Sequence, residues 1–119
     1  MKYMLMMFGD AETMMAEQPR EWVADMVAFM QRFNDELVKN GEMVAAEGLD
    51  MPSTAKTVNL VGEQVVVSDG PFAEAKEALA GFWIFDVAGE ARAVELASKV
   101  VVWARRVELR RVADAPPEV

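Results

Sequence analysis

Hydrophobic and polar positions follow different periods along the chain, and each period predicts a kind of element. Residues 3–8 are apolar throughout, which is typical of a strand covered on both faces. Over residues 22–37 apolar side chains recur every three or four positions, which predicts an amphipathic helix ended by Lys39-Asn40-Gly41. Pro19 fits the first turn of that helix, and residues 11–18 have room for one loose helical turn.

The second half of the chain has shorter periodic segments, separated by glycine and proline. The elements predicted there are a weaker strand at 43–49, a hairpin of strands 57–61 and 64–68 around Gly62-Glu63, one or two helical turns within 72–80, a strand at 82–87, a helix from 89 to about 104, and a last strand at 107–110. The resulting order of β, α, β, hairpin, β, α and β predicts an α+β fold of the ferredoxin-like split βαβ type with an inserted β-hairpin.

This fold leaves one face of the sheet without a cover. Two helices cover only one face of a four-stranded sheet, yet the strands at 3–8 and 82–87 carry bulky apolar residues on both faces. We therefore expect a homodimer through the sheet face, which two-fold symmetry closes. Residues 1–112 are expected to form one domain, followed by a disordered tail at 113–119.

Composition excludes much familiar chemistry. The 119 residues include no cysteine and no histidine, which removes thiol nucleophiles, imidazole bases and zinc sites built on these ligands. A net charge of -8 disfavours nucleic acid and anionic membranes as partners. We expect no metal and no cofactor, since no calcium-loop spacing or glycine-rich phosphate loop occurs in the sequence.

The first residues are interpreted as a strand and not as a signal peptide, because Gly9, Asp10 and Glu12 interrupt the apolar run at once. No apolar run approaches the roughly 20 residues that a membrane helix needs. We therefore expect a soluble, cytoplasmic protein.

Asp69 is the first candidate for chemistry. As a buried carboxylate at a pocket mouth it would act as a general base, with Lys76 as its counter-charge and Glu77 as a second carboxylate. Alternatively, Asp69-Gly70-Pro71 is a turn, since Asp accepts backbone hydrogen bonds, Gly tolerates unusual dihedrals and Pro fixes its own. Turn chemistry explains all three residue types without a substrate, and both roles are compatible.

Other candidates likewise have two interpretations. Glu74, Lys76 and Glu77 either line an entrance or form the solvated side of a short helix. Arg110 either holds an anionic ligand or pairs with Glu108 at the surface. The ten methionines and the residues Trp22, Trp83 and Trp103 are either pocket walls or packing bulk; bulk is favoured for Trp22, and Trp83 stays open.

The sequence also resembles a known family. Asp69-Gly70-Pro71-Phe72, followed by Glu74, Lys76, Glu77 and Gly81-Phe82, is similar to the signature of the YCII-related family in its DGPF-motif branch. The opening residues 2–5 and the closing residues 107–110 also resemble that branch. The resemblance implies a dimeric α/β barrel. Val100 to Trp103 and the Arg105-Arg106 pair depart from the proline-containing connection expected there, which leaves the end of the second helix open.

What the resemblance implies about activity is limited. A few relatives act as lyases or dehydrochlorinases on aromatic substrates, and many members are encoded beside extracytoplasmic-function sigma factors. In the YCII-like branch a His and an Asp are thought to act together, but this chain has no His, so only the Asp69 motif transfers.

Two functional hypotheses follow. The first is a ligand-binding or regulatory dimer, linked to a sigma-factor circuit, that takes a small aromatic or acidic ligand through Lys76, Glu77, Trp83 and Arg110. The alternative is a cofactor-independent enzyme of the lyase or dehydrochlorinase kind, with Asp69 as catalytic residue near a pocket between sheet and helices. The lack of His and Cys weakens the enzyme hypothesis, because a lone carboxylate must then carry proton transfer.

Overall fold

The computed structural model of the chain describes residues 1–117 and has the α+β class that the sequence predicts. Six strands and three α-helices make up these residues, together with single 3-10 turns at Pro52–Thr54 and Ala75–Glu77. The main elements are β1 (Lys2–Phe8), α1 (Ala11–Glu17), α2 (Arg20–Lys39), β2 (Met43–Gly48), β3 (Lys56–Val61), β4 (Gln64–Asp69), β5 (Leu79–Asp86), α3 (Glu90–Ala104) and β6 (Val107–Arg111).

The main sheet is antiparallel and has the strand order β2-β5-β1-β6. Strands β2 and β6 form its two edges, so the sheet of the single chain is open and does not close into a barrel. The barrel implied by the resemblance would need a second sheet, and it remains a prediction.

The hydrophobic core lies between one face of this sheet and the helices α2 and α3. Leu5 of β1 is opposite Trp83 of β5, and both are buried, as are their alternate neighbours Tyr3 and Phe85. Because successive side chains of a strand point to opposite faces, these four residues share the face that the helices cover. The helices contribute a buried set to the same cluster, which includes Phe33, Leu37, Ala93, Leu96 and Val100.

The boundaries of the first two helices depart slightly from the prediction. Residues 11–17 form a regular helix instead of a loose turn, because the Asp10 carboxylate accepts hydrogen bonds from the N–H groups of Glu12 and Thr13 at 3.1 and 3.3 Å. Pro19 lies one residue before α2 and not within its first turn; its carbonyl oxygen accepts the first helical hydrogen bond, from Val23. The helix ends at Lys39 as predicted.

The segment at 72–80 is less helical than expected. Only Ala75–Glu77 forms a turn, and β5 begins at Leu79, three residues before the predicted start. The sheet competes successfully for these residues, since Leu79 pairs with Phe8 and the Ala80 carbonyl accepts a hydrogen bond from Leu49. A single helical turn cannot offset pairing with two strands.

The predicted hairpin forms a separate two-stranded sheet of β3 and β4. The radius of gyration is 16.7 Å, against about 13.5 Å for a compact chain of this length, so the molecule is extended. Opposite residues of a hairpin share a face, and one face of this hairpin therefore carries Val58, Leu60, Val65 and Val67, each at least 60% exposed.

Residues 113–117 form no helix or strand. Disorder of the tail at 113–119 remains a prediction, and its positions 118 and 119 lie outside the described residues. Among residues 1–117, no helix is both long enough and apolar enough to cross a membrane.

Candidate functional site

A cleft of about 580 Å³ lies where α1, the start of α2 and the end of α3 meet. We call it the Trp cavity, after the two tryptophans in its wall. Its volume is within the range of small-molecule pockets, about 300–1,000 Å³. The lining residues are Gly9, Asp10, Thr13, Met14, Glu17, Gln18, Trp22, Lys76, Trp103, Ala104 and Arg105.

The aromatic wall of this cavity continues into the core. Trp22 and Trp103 meet edge to face, with ring centroids 5.5 Å apart and planes at 63°. Phe29 stacks on Trp103, with ring centroids 5.7 Å apart, and also on Phe33 at 5.4 Å. Each aromatic pair contributes stabilisation in addition to that from the apolar area it buries. The contacts with Phe29 and Phe33 therefore hold the two tryptophans in place against the core.

Charged groups of both signs lie around the tryptophans. Lys76 is 77% exposed, and its Nζ lies 3.8 Å from the Glu74 carboxylate, a weak pair in water. Arg105 is exposed at the end of α3. The Asp10 carboxylate caps α1, and Glu17 lies in the last turn of the same helix.

Arg105 has an unusual backbone. Its φ of 70° and ψ of -40° make it the one non-glycine residue with positive φ among residues 1–117. The N–H of Arg106 donates to the carbonyl of Ala104 at 2.9 Å, which closes a γ-turn around Arg105. This turn ends α3 at Ala104 and answers the question that the sequence left open about that helix.

Asp69 lies away from the Trp cavity, at the end of β4. Its side chain is 83% exposed and accepts from the ammonium group of Lys56 on β3. Within residues 1–117 it accepts no hydrogen bond from its own turn, whose next residue, Gly70, has φ of 93° and donates to the Ala55 carbonyl at 2.8 Å. Asp69 therefore lies at the base of the hairpin, next to a solvent-exposed lysine.

Lys76 and Glu77 are adjacent but face different cavities. Glu77 lines a cleft of about 420 Å³ that also includes Pro71 and Phe72 of the motif, and Phe72 is 81% exposed. The guanidinium of Arg106 donates to the Glu77 carboxylate at 2.7 Å and to the Lys76 carbonyl at 3.4 Å. That hydrogen bond and its charge hold the pKa of Glu77 below its ordinary value.

Trp83 and Arg110 lie elsewhere. Trp83 is 4% exposed, and its indole N–H donates to the Asn34 side-chain oxygen at 2.8 Å beside a cleft of about 220 Å³. Arg110 is on edge strand β6 and donates to Glu108 at 2.5 Å, with 73% of its side chain exposed. The structure does not bring the five predicted site residues together.

Three residues of the Trp cavity were not selected as site residues from the sequence. From the sequence, Trp22 is interpreted as packing bulk, Trp103 has two interpretations, and Arg105 belongs only to a departure from the family pattern. The available signal is that departure, because the Arg105-Arg106 pair stands where the family resemblance implies a looser, proline-containing connection. Within residues 1–117, no group of three or more carboxylates is arranged to hold a metal ion.

Comparison with known protein families identifies the family of this chain. The family model described as YCII-related domain matches residues 1–115, almost the whole chain. No curated protein matches the chain.

Proposed function

The chain belongs to the YCII-related family, and from this premise we propose that it is a homodimeric protein that binds a small aromatic ligand in the Trp cavity. The observation that carries the proposal is the cavity itself, which combines a ligand-sized volume with a fixed aromatic wall. Binding sites for small organic molecules commonly have such walls and a few convergent polar groups.

The dimer part of the proposal rests on the uncovered face of the sheet. Met4 is opposite Ile84 and Met6 is opposite Phe82, and all four alternate with the buried core residues. They are half-buried, and they form an apolar strip along the two central strands. Covering this strip with the same strip of a second copy would remove it from water on both chains.

The edges of the same face are charged. Glu47 on β2 is opposite Phe82, while Glu108 and Arg110 on β6 are opposite Met6 and Met4. An apolar centre with a charged rim is the usual composition of a protein interface. In this proposal Arg110 belongs to the dimer rim, and the strand order β2-β5-β1-β6 supports the ferredoxin-like assignment and a barrel formed by two copies.

The regulatory part rests on resemblance alone. Membership of the DGPF-motif branch, a place in a sigma-factor circuit and a cytoplasmic location remain predictions from the sequence. The enzyme alternative with Asp69 as catalytic residue has no observation in its favour, because the Asp69 carboxylate is exposed and paired with Lys56.

Ligand binding is tested by thermal unfolding with a panel of small aromatic compounds and their cyclohexane analogues. We expect aromatic compounds to raise the unfolding midpoint of the wild type, and of the control Val102→Leu, which changes an exposed residue of the same helix. The same compounds should leave Trp103→Leu unchanged. Because Trp103→Leu also removes packing, Thr13→Trp serves as a second variant that fills the cavity from an exposed position. Equal shifts in both cavity variants and the wild type, or no shift in the wild type, would overturn the proposal.

The dimer is tested by sedimentation at micromolar concentrations. We expect twice the chain mass of 13.2 kDa for the wild type and for Val94→Glu, which places a charge on the outer surface of α3. Met6→Glu should give the monomer mass, because it places a charge in the centre of the apolar strip. A wild type that sediments as a monomer would contradict the dimer and leave the ligand proposal standing.

A further inference from the structure

We infer that the Trp cavity selects an aromatic carboxylate, whose carboxylate group binds the guanidinium of Arg105 while its ring packs on Trp22 and Trp103. This inference rests on the proposed ligand-binding function. It specifies that the ligand is negatively charged and that Arg105 is the residue that recognises this charge.

The guanidinium of Arg105 is available to a ligand. Arg92, Arg106, Arg110 and Arg111 each donate to a carboxylate at 2.5 to 3.0 Å. No carboxylate within residues 1–117 lies at such a distance from the guanidinium of Arg105. Arg105 is at the same time a lining residue of the ligand-sized Trp cavity. Arginine binds carboxylates through two parallel N–H groups, which makes it suited to recognise a planar carboxylate.

The backbone of Arg105 has an unfavourable conformation. A γ-turn with positive φ is strained for a residue with a Cβ, and glycine is the residue that usually ends a helix in this half of conformational space. The chain has an arginine there instead, and this residue lines the cavity. Strained conformations are concentrated at binding sites, where the position of a side chain matters more than local stability.

The γ-turn separates two consecutive arginines, Arg105 and Arg106. Arg106 points to the turn at Ala75–Glu77, where it neutralises the Glu77 carboxylate at 2.7 Å. Arg105 stays at the Trp cavity together with Lys76. The Glu77 carboxylate is therefore occupied by Arg106, and Arg105 is left for a ligand, beside a Lys76 that is only weakly paired with Glu74 at 3.8 Å.

The carboxylates that line the cavity are expected to weaken the binding of a negatively charged ligand. Asp10 is engaged by the N–H groups of Glu12 and Thr13, whereas Glu17 also lines the cavity. A bound carboxylate is repelled by Glu17 and attracted by Arg105. Neutralising Glu17 should therefore tighten binding, and removing Arg105 should weaken it.

The test compares acids with their neutral amides by calorimetric titration at pH 7 and low salt. The probes are benzoate against benzamide, and indole-3-acetate against indole-3-acetamide. Wild type should bind each acid about tenfold more tightly than its amide, the size of one charge-assisted hydrogen bond at a partly exposed site. Arg105→Gly should remove that preference while amide affinity changes less than about twofold, and Glu17→Gln should tighten acid binding.

Unfolding of the same variants gives a readout that a structural role would not produce. Arg105→Gly should raise the unfolding midpoint, because glycine adopts this backbone without strain, even as it loses the acid. The control Arg32→Gln removes an exposed charge of α2 outside the cavity and should leave both properties unchanged. Equal affinity of wild type for acid and amide, or full acid binding by Arg105→Gly, would overturn the inference and leave ligand binding intact. Failure of wild type to bind any of the four probes would overturn the inference together with the proposed function.

Discussion

Arg92 of α3 donates two hydrogen bonds to the carboxylate of Glu42, which lies just before β2. Its Nε donates to Oε2 at 2.9 Å and its Nη2 to Oε1 at 2.8 Å, and a third N–H reaches Glu95 at 2.6 Å. The two side chains of the main pair are 28% and 14% exposed, so water screens this pair less than the surface pairs. The pair joins the end of the sheet to the helix that covers it.

Arg92→Gln should lower the free energy of unfolding by about 1–3 kcal/mol, because it leaves the partly buried Glu42 carboxylate without its cation. Urea unfolding at pH 7 measures this loss. The control Arg111→Gln breaks a pair with Asp114 whose side chains are 49% and 82% exposed, and it should change stability by less than about 0.5 kcal/mol. Equal losses in the two variants would contradict a special role for Arg92.

The same pair predicts a dependence on pH. The hydrogen bonds from Arg92 hold the pKa of Glu42 below its ordinary value, against the opposing effect of burial. A carboxyl whose folded pKa is lowered stabilises the fold above its unfolded pKa, and this contribution is lost as the pH falls through the folded pKa. The stability gap between wild type and Arg92→Gln should therefore narrow below about pH 4.5. Urea unfolding of both proteins between pH 7 and pH 3 measures this difference in free energy of unfolding. A difference that stays constant over this range would contradict the prediction.

Gly81→Ala should destabilise the centre of the sheet. A Cβ at Gly81 would lie 2.9 Å from the backbone oxygen of Glu47 and 3.3 Å from the Cα of Gly48, and neither atom belongs to a flexible side chain. We expect a loss of about 1–3 kcal/mol by thermal or urea unfolding. Gly48→Ala, whose new Cβ meets nothing within 4 Å, is the matched control and should be close to neutral. Similar losses for both glycines would contradict crowding at Gly81 as the cause.

The hairpin of β3 and β4 should exchange its amide hydrogens faster than β1 and β5. A two-stranded sheet is marginally stable in water, and the apolar side chains of this hairpin at Val58, Leu60, Val65 and Val67 are largely exposed. Hydrogen exchange followed by mass spectrometry resolves the two regions. Protection of the hairpin equal to that of the main sheet, at a concentration where the chain is monomeric, would refute local opening.

Asp69→Asn should leave both the unfolding midpoint and the ligand-induced shift almost unchanged. The substitution breaks only an exposed pair with Lys56, and Asp69 is not among the residues of the Trp cavity. Thermal unfolding with and without an aromatic compound checks both statements. Loss of the ligand shift without a change in the unliganded midpoint would return Asp69 to the binding site.

The strongly periodic segments were predictable because a local rule governs them. The stripe over residues 22–37 is buried on one side in α2, and the alternating buried residues Tyr3 and Leu5 lie within the run interpreted as a strand. Short segments were predicted less well. Helix α1 depends on the Asp10 cap, and the start of β5 depends on pairing with β1 and β2, which no pattern within 72–80 records.

By itself the sequence determined the α+β class, the order of the strands and the two long helices, and the absence of imidazole and thiol chemistry, since periodicity and composition are local properties of the chain. Only the tertiary structure decided which side chains share a cavity. Trp22 and Trp103 are 81 positions apart and meet because α2 and α3 pack on the same face of the sheet, while the neighbours Lys76 and Glu77 face different clefts. The position of Arg105 was decided in the same way, because the γ-turn that directs it depends on a backbone conformation that arginine does not favour.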